Sequence, residues 1–99
     1  MTYSIEQTEG FAQWHANLRD LRAKLAIARR IERAAQGNLG DVKSLGQRLS
    51  ELRIDLGAGY RVYFTFRSGC IIVLLAGGDK ASQAADIRRA RNLAEELHS

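Results

Sequence analysis

The sequence has no apolar run able to cross a bilayer: the longest, Cys70 to Ala76, falls far short of the roughly 18 to 20 residues a spanning helix needs. Its opening, MTYSIEQTEG, lacks the basic, then apolar, then small-residue layout of a secretory signal. The chain is therefore expected to stay in the cytoplasm, away from membranes. A lone cysteine, Cys70, excludes an internal disulfide, and two widely separated histidines, His15 and His98, leave no credible zinc site. No metal or cofactor is expected. The 99 residues are too few to divide into two cores, so a single domain over 1–99 is expected. Disorder is excluded as the main state, because 45% of the residues are hydrophobic and 26% charged.

What the chain has in surplus is positive charge. Fifteen Lys plus Arg stand against eleven Asp plus Glu, a net charge of +4, and twelve of the cations are arginine. The planar guanidinium fork suits bidentate binding of phosphate, which makes nucleic acid a candidate partner. Placement of the charges has to decide it.

Tyr3 to Glu6 alternates weakly, as a short edge strand would. Thr8 is a fair helix N-cap before an apolar stripe at Phe11, Trp14, Leu18 and Leu21. From Arg22 to Gln36 a second stripe, Leu25, Ala28, Ile31 and Ala35, runs opposite Arg22, Lys24, Arg29, Arg30 and Arg33, and Gly37-Asn38 suits the end of a helix. A helical hairpin bent near Asp20 is expected. After Gly40 the period changes from 3.6 to 2. Leu52, Ile54 and Leu56 alternate with Glu51, Arg53 and Asp55. In the next segment Tyr60, Val62, Phe64 and Phe66 alternate with Arg61, Tyr63, Thr65 and Arg67. Gly57-Ala58-Gly59 between these runs reads as a hairpin loop, and Val42 to Leu45 as a weak additional strand. Cys70 to Ala76 suits a central strand covered on both faces, with Cys70 an inert packing thiol and Gly77-Gly78 a tight turn after it. Asp79 or Ser82 can cap a last helix with Ile87, Ala90, Leu93, Ala94 and Leu97 inward. The order predicts an α+β sandwich with helices on one sheet face and the other partly open to solvent.

That open face would assemble Arg53, Arg61, Arg67 and Tyr63, with Lys43 and Lys80 brought in by neighbouring loops. Cations there can hold a phosphodiester backbone while an aromatic or Arg plane stacks on an unpaired base. The same face equally suits surface salt bridges, with Glu51 and Asp55 pairing Arg53 and Arg61. His15, beside Trp14, and His98, near the end of the chain, are expected to lie off the strand face, which argues against a paired-histidine ribonuclease. Asp79 and Asp86 read as caps or surface charges, and Trp14 as core.

Taken together, Gly37-Asn-Leu-Gly-Asp-Val-Lys43, Glu51-Leu-Arg-Ile54, Gly59-Tyr-Arg-Val-Tyr-Phe64 and Leu74-Leu-Ala-Gly-Gly-Asp-Lys80, followed by Gln83 and Asp86-Ile87, resemble the HigB-like addiction-module killer proteins of the RelE/ParE toxin superfamily. The resemblance runs over nearly the whole chain, Phe11 and Trp14 included. It implies a RelE-like fold: an N-terminal helical hairpin and a C-terminal helix packed on a curved, mainly antiparallel sheet of 4–5 strands. It further implies a type II toxin that cuts messenger RNA at the ribosome without a metal and is silenced by a HigA-like helix-turn-helix antitoxin encoded nearby, in an assembly open to higher-order toxin–antitoxin complexes. The family motifs fall on Lys43, Arg53, Arg61 and Lys80 as catalytic positions, with Tyr63 and Gln83 as RNA-binding support, to which the strand-face pattern adds Arg67. Some RelE-type nucleases carry a late tyrosine or histidine for proton transfer; here no Tyr follows Tyr63 and the late His is His98. The ParE branch of the superfamily poisons DNA gyrase instead, so a gyrase poison, or an inactive basic module retained with its antitoxin, stands as the alternative.

Overall fold

The first helix begins where Thr8 caps it. In the computed structural model, which describes Met1–Ser99, Thr8 Oγ1 accepts from the Phe11 N–H at 3.1 Å and donates to the Leu75 carbonyl at 2.8 Å, so one hydroxyl both starts the helix and ties it to a strand 67 residues away. Asp20 does the same locally for the second helix, accepting from Ala23 N–H at 3.1 Å, and it is this cap that breaks the hairpin at the expected bend. Gly37 closes that helix with φ of 95°. Its N–H and that of Asn38 reach back to the carbonyls of Ala34 and Arg33.

The elements run β1 (Ser4–Gln7), α1 (Glu9–Ala16), α2 (Leu21–Ala35), β2 (Val42–Gly46), β3 (Leu49–Ile54), β4 (Tyr60–Arg67), β5 (Ile71–Asp79), a 3-10 turn (Lys80–Ser82) and α3 (Gln83–His98). They form one five-stranded sheet in the order β1-β5-β4-β3-β2, antiparallel throughout except for β1, which lies parallel to β5. This is the α+β arrangement expected, with the weak strand at Val42 present as β2.

Register puts Leu52 opposite Val62 and Ile54 opposite Tyr60, and these apolar pairs meet Phe11 of α1 and Ala23, Ile27 and Ala34 of α2. The second face is where expectation and structure part. It is not open: α3 folds back over it, and Ala90 and Ala94 pack on Leu49, Tyr63, Val73, Leu75 and Ala76. The small alanines let the helix backbone approach a sheet face that still carries Glu51 and Arg61, each buried. A charged alternation therefore marks a buried polar layer here rather than solvent.

Three further expectations change for the same kind of reason. Gly77 and Gly78 lie inside β5 and are buried, not in a turn, because a Cβ on Gly77 would overlap the Trp14 ring and one on Gly78 would overlap the Asp86 carboxylate. Cys70 is exposed in the β4–β5 connection, since the strand starts at Ile71. Leu21 and Leu25 face solvent, because α2 is rotated to bring Ala23, Ile27 and Ala34 onto the sheet.

Candidate RNA-binding and catalytic site

Two ladders cross the sheet beneath α3. One runs Lys43, Glu51, Tyr63, Ala76 and the next runs Arg53, Arg61, Gly78, each neighbour in register with the last. Strand alternation turns Glu51, Arg53, Arg61 and Tyr63 to the same side. Lys80 joins them at the end of β5, its stem laid along Gly59, where a Cβ would stand 2.9 Å from Lys80 Cε. Gln83, half-buried, opens α3 at this end.

Register sets Arg53 beside Arg61, with Tyr63 on the same side of β4, Lys80 and Gln83 beyond the end of β5, and Lys43 on the same face of outer strand β2, two strands from Tyr63. Arg67 is kept apart. It lies six residues further along β4, about 20 Å at strand rise, and its guanidinium donates to both oxygens of Glu6, at 2.7 and 2.9 Å.

Accessibility divides the group. Lys43 and Lys80 are exposed and Arg53 is half-buried, whereas Arg61 keeps 7% of its surface and Tyr63 none. Tyr63 and Arg61 were expected to face solvent, and α3 is what covers them. Arg61 donates to the Tyr60 carbonyl at 3.0 Å, yet its Nε, Glu51 Oε2 and the Tyr63 hydroxyl are buried without a hydrogen-bond partner. Such orphaned groups are costly in a fold and cluster at functional positions. The surface pairs Glu51–Arg53 and Asp55–Arg61 do not form. Arg53 Nε instead stands 3.6 Å from Asp41 Oδ1, with both side chains well hydrated, a contact weak enough to yield to a phosphate.

Two residues read from the sequence as peripheral lie nearer the strand face than expected. Asp86 sits over Gly78, 3% exposed, accepting from Ser82 Oγ at 2.5 Å and from Arg89 of its own helix. It is a buried carboxylate, not the surface charge expected of it, while Asp79 is the expected cap, taking the N–H groups of Ala81 and Ser82. The signal for Asp86 was present in Gly78: a glycine within a strand marks a place where another group comes close. His98 also departs from expectation. It lies against the strand face, its Nε2 3.0 Å from Thr65 Oγ1, though nearer the Arg67 end than the Arg61 end. No three His, Cys, Asp or Glu side chains gather as a metal-binding set.

Burial, then the negative charges of Glu51 and Asp86, push the Tyr63 phenol up to about 12. At neutral pH it is a hydrogen-bond donor, not a base. Because the unfolded phenol ionises near 10, the native state holds a proton that the unfolded chain has lost over the window from there to about 12. Stability is therefore fully present below pH 10 and falls as pH rises through that window. Ultraviolet absorbance titration with parallel denaturation is expected to show this loss, and Tyr63→Phe to remove it; an unchanged alkaline profile in the variant would contradict the assignment.

Residues 14–97 match the family described as phage derived protein Gp49-like. The chain belongs to that Gp49-like family. An uncharacterized protein of Haemophilus influenzae is 48% identical over 97 residues, covering 98% of each chain. Among solved structures, this Gp49-like chain resembles a mutant of the E. coli toxin RelE in the free state, with TM-score 0.69 and 12% identity over 90% of this chain and 98% of that one. It also resembles the intact E. coli RelBE toxin-antitoxin complex, at TM-score 0.60 and 13% identity over 78% of this chain and 95% of that one. A third likeness is to the archaeal RelE-RelB complex of Pyrococcus horikoshii, at 0.56 and 20% identity, covering 81% and 97%. The fold of the Gp49-like chain is that of the RelE toxins.

Proposed function

We propose that this protein is the toxin of a type II toxin–antitoxin pair, a HigB-like member of the RelE-fold group that cleaves messenger RNA on the ribosome. One observation supports the reading: on a RelE fold, Arg53 and Arg61 stand in register on one sheet face, flanked by Lys43 on β2 and Lys80 at the β5–α3 junction. Cations spread along one face are suited to successive phosphates of a backbone and, at Arg53 and Arg61, to the additional charge that builds up when one is attacked.

In this mechanism the ribosome holds the RNA in line, and a ribose 2′-hydroxyl attacks the adjacent phosphorus, displacing the 5′-oxygen of the next nucleotide. Lys43, Arg53 and Lys80, the accessible cations, hold the backbone. Arg61 supplies positive charge from a poorly hydrated position, where it counts for more than at the surface. Tyr63, protonated at neutral pH and fully covered by α3, is held away from the RNA as part of the packing beneath the site, and Gln83 offers a neutral contact at the mouth. The two solved RelE complexes with RelB support an antitoxin partner for this chain as well, and it is the resemblance to HigB-like proteins that suggests a HigA-like, helix-turn-helix type.

The test is a cell-free bacterial translation reaction in which the 5′ ends of a reporter mRNA are mapped with and without active ribosomes. Cuts confined to translating ribosomes are the expected result. Cuts in naked RNA would remove the ribosome from the proposal, and intact mRNA with normal protein output would replace it by a ParE-like gyrase poison, to be checked by DNA supercoiling.

A further inference from the structure

Leu21 and Leu25 are 69% and 58% exposed although they belong to α2, one turn apart on the same face. Beside them α2 and the β3–β4 hairpin leave two cavities of about 230 and 320 Å³. Both are lined by Ala26, Arg29 and Leu56, so they form one continuous trough with an apolar floor. Arg22, Arg29 and Arg33 make its rim. None of the three is in an ion pair, and Asp55 is the single carboxylate in the lining. Arg30, also in the lining, is already committed, donating to the carbonyls of Arg53, Leu39 and Asp41.

We propose that this trough is the docking site for an acidic, amphipathic helix of a protein partner, which under the toxin–antitoxin reading, on which only the partner's name rests, is the antitoxin. Charge complementarity selects the occupant. Arg29 and Arg33, four apart, repel each other along α2, and carboxylates from outside relieve that repulsion. The exposed leucines and the floor of Ala26, Ile54 and Leu56 call for apolar side chains at helical spacing between those carboxylates. From Arg22 to Arg33 the rim extends about 16 Å, three turns of a partner helix. RNA fits less well, because no aromatic side chain lines the trough for a base to stack on.

The full-length protein, labelled with nitrogen-15, would be titrated with a synthetic peptide of about 15 residues, long enough to be helical on binding. Leucines would stand at helical spacing with glutamates elsewhere. A scrambled peptide of the same composition and a single-stranded RNA oligonucleotide are the controls. Amide shifts confined to α2 and the Leu56 region are expected, with affinity reduced about tenfold or more in Leu25→Ser and in Arg29→Glu. Both positions are exposed, and unchanged resonances of the β3–β4 core would certify folding. Equal binding of the scrambled peptide, shifts centred on Lys43 and Lys80 instead, or displacement of the peptide by RNA would overturn the proposal. The same variants are expected to inhibit translation as the wild type does, and a loss of inhibition would place the trough in the ribosome contact instead. If the wild type itself leaves translation untouched, the mRNA-cleavage reading fails while the peptide titration still decides the trough.

Discussion

Arg61→Gln is expected to reduce ribosome-dependent mRNA cleavage roughly 100- to 1,000-fold, the usual cost of removing one group that stabilises transition-state charge. Arg61 stands at the centre of the Arg53–Arg61–Gly78 ladder, is 7% exposed, and has no protein group bonded to its Nε. A buried cation with an uncommitted donor is unusually strong toward a phosphate oxygen, because little water competes for it. Arg61→Lys should recover part of the activity, since charge remains while the fork geometry is lost. Arg67→Gln is the matched control: that guanidinium is bound to Glu6 at the far end of β4 and should change cleavage little. Thermal melts of all three variants separate catalysis from folding, which matters because Arg61 is a buried side chain whose replacement also changes packing. Equal cleavage by wild type and a folded Arg61→Gln protein would sink the assignment. A strong loss in Arg67→Gln would move the site to the other end of the strand.

The second large effect concerns folding. Gly78→Ala is expected to destabilise the protein by about 3 kcal/mol, the upper part of the usual overpacking range, and so to lower Tm by roughly 10–20 °C in a domain of this size. The new Cβ would overlap the Asp86 carboxylate and press on Ser82 Oγ at 2.7 Å, and neither can retreat, because β5 is buried there and Asp86 is held by Ser82 and Arg89. A double-mutant cycle identifies the cause. In an Asp86→Ala background the same glycine substitution should cost less than about 1 kcal/mol, a coupling characteristic of residues in direct contact. An additive result would show that strand conformation, not the carboxylate above, requires Gly78.

Short-range signals were legible. Thr8 and Asp20 cap the helices as their side-chain chemistry dictates, and Gly37 ends α2. The alternation of Leu52 and Ile54 with Glu51 and Arg53, repeated in Tyr60 to Arg67, sets the β3–β4 pair in register. Lys43, Arg53, Arg61 and Lys80 could be singled out because they fall on motifs of the family resemblance, and register sets Lys43, Arg53 and Arg61 on one face of the sheet. Their separation from Arg67 could not be read, since Arg67 shares their alternation and differs only in distance along the strand and in having Glu6 beside it.

The sequence by itself determined the elements, their order and the apolar pairs that build the first core, because caps and periods of 2 and 3.6 act over a few residues. Tertiary structure alone decided which charged positions are wet. An alternating strand looks the same whether its polar face meets water or a helix from elsewhere in the chain, and here the choice was made by α3, more than twenty residues from Arg61, through Ala90, Ala94 and Asp86. The same is true on the opposite side: α2 could have turned Leu25 inward, but the approach of Ala23 and Ile27 to the sheet turned it out. Burial is settled by packing between distant segments, and that packing made Arg61 a covered cation and Leu25 an uncovered apolar one.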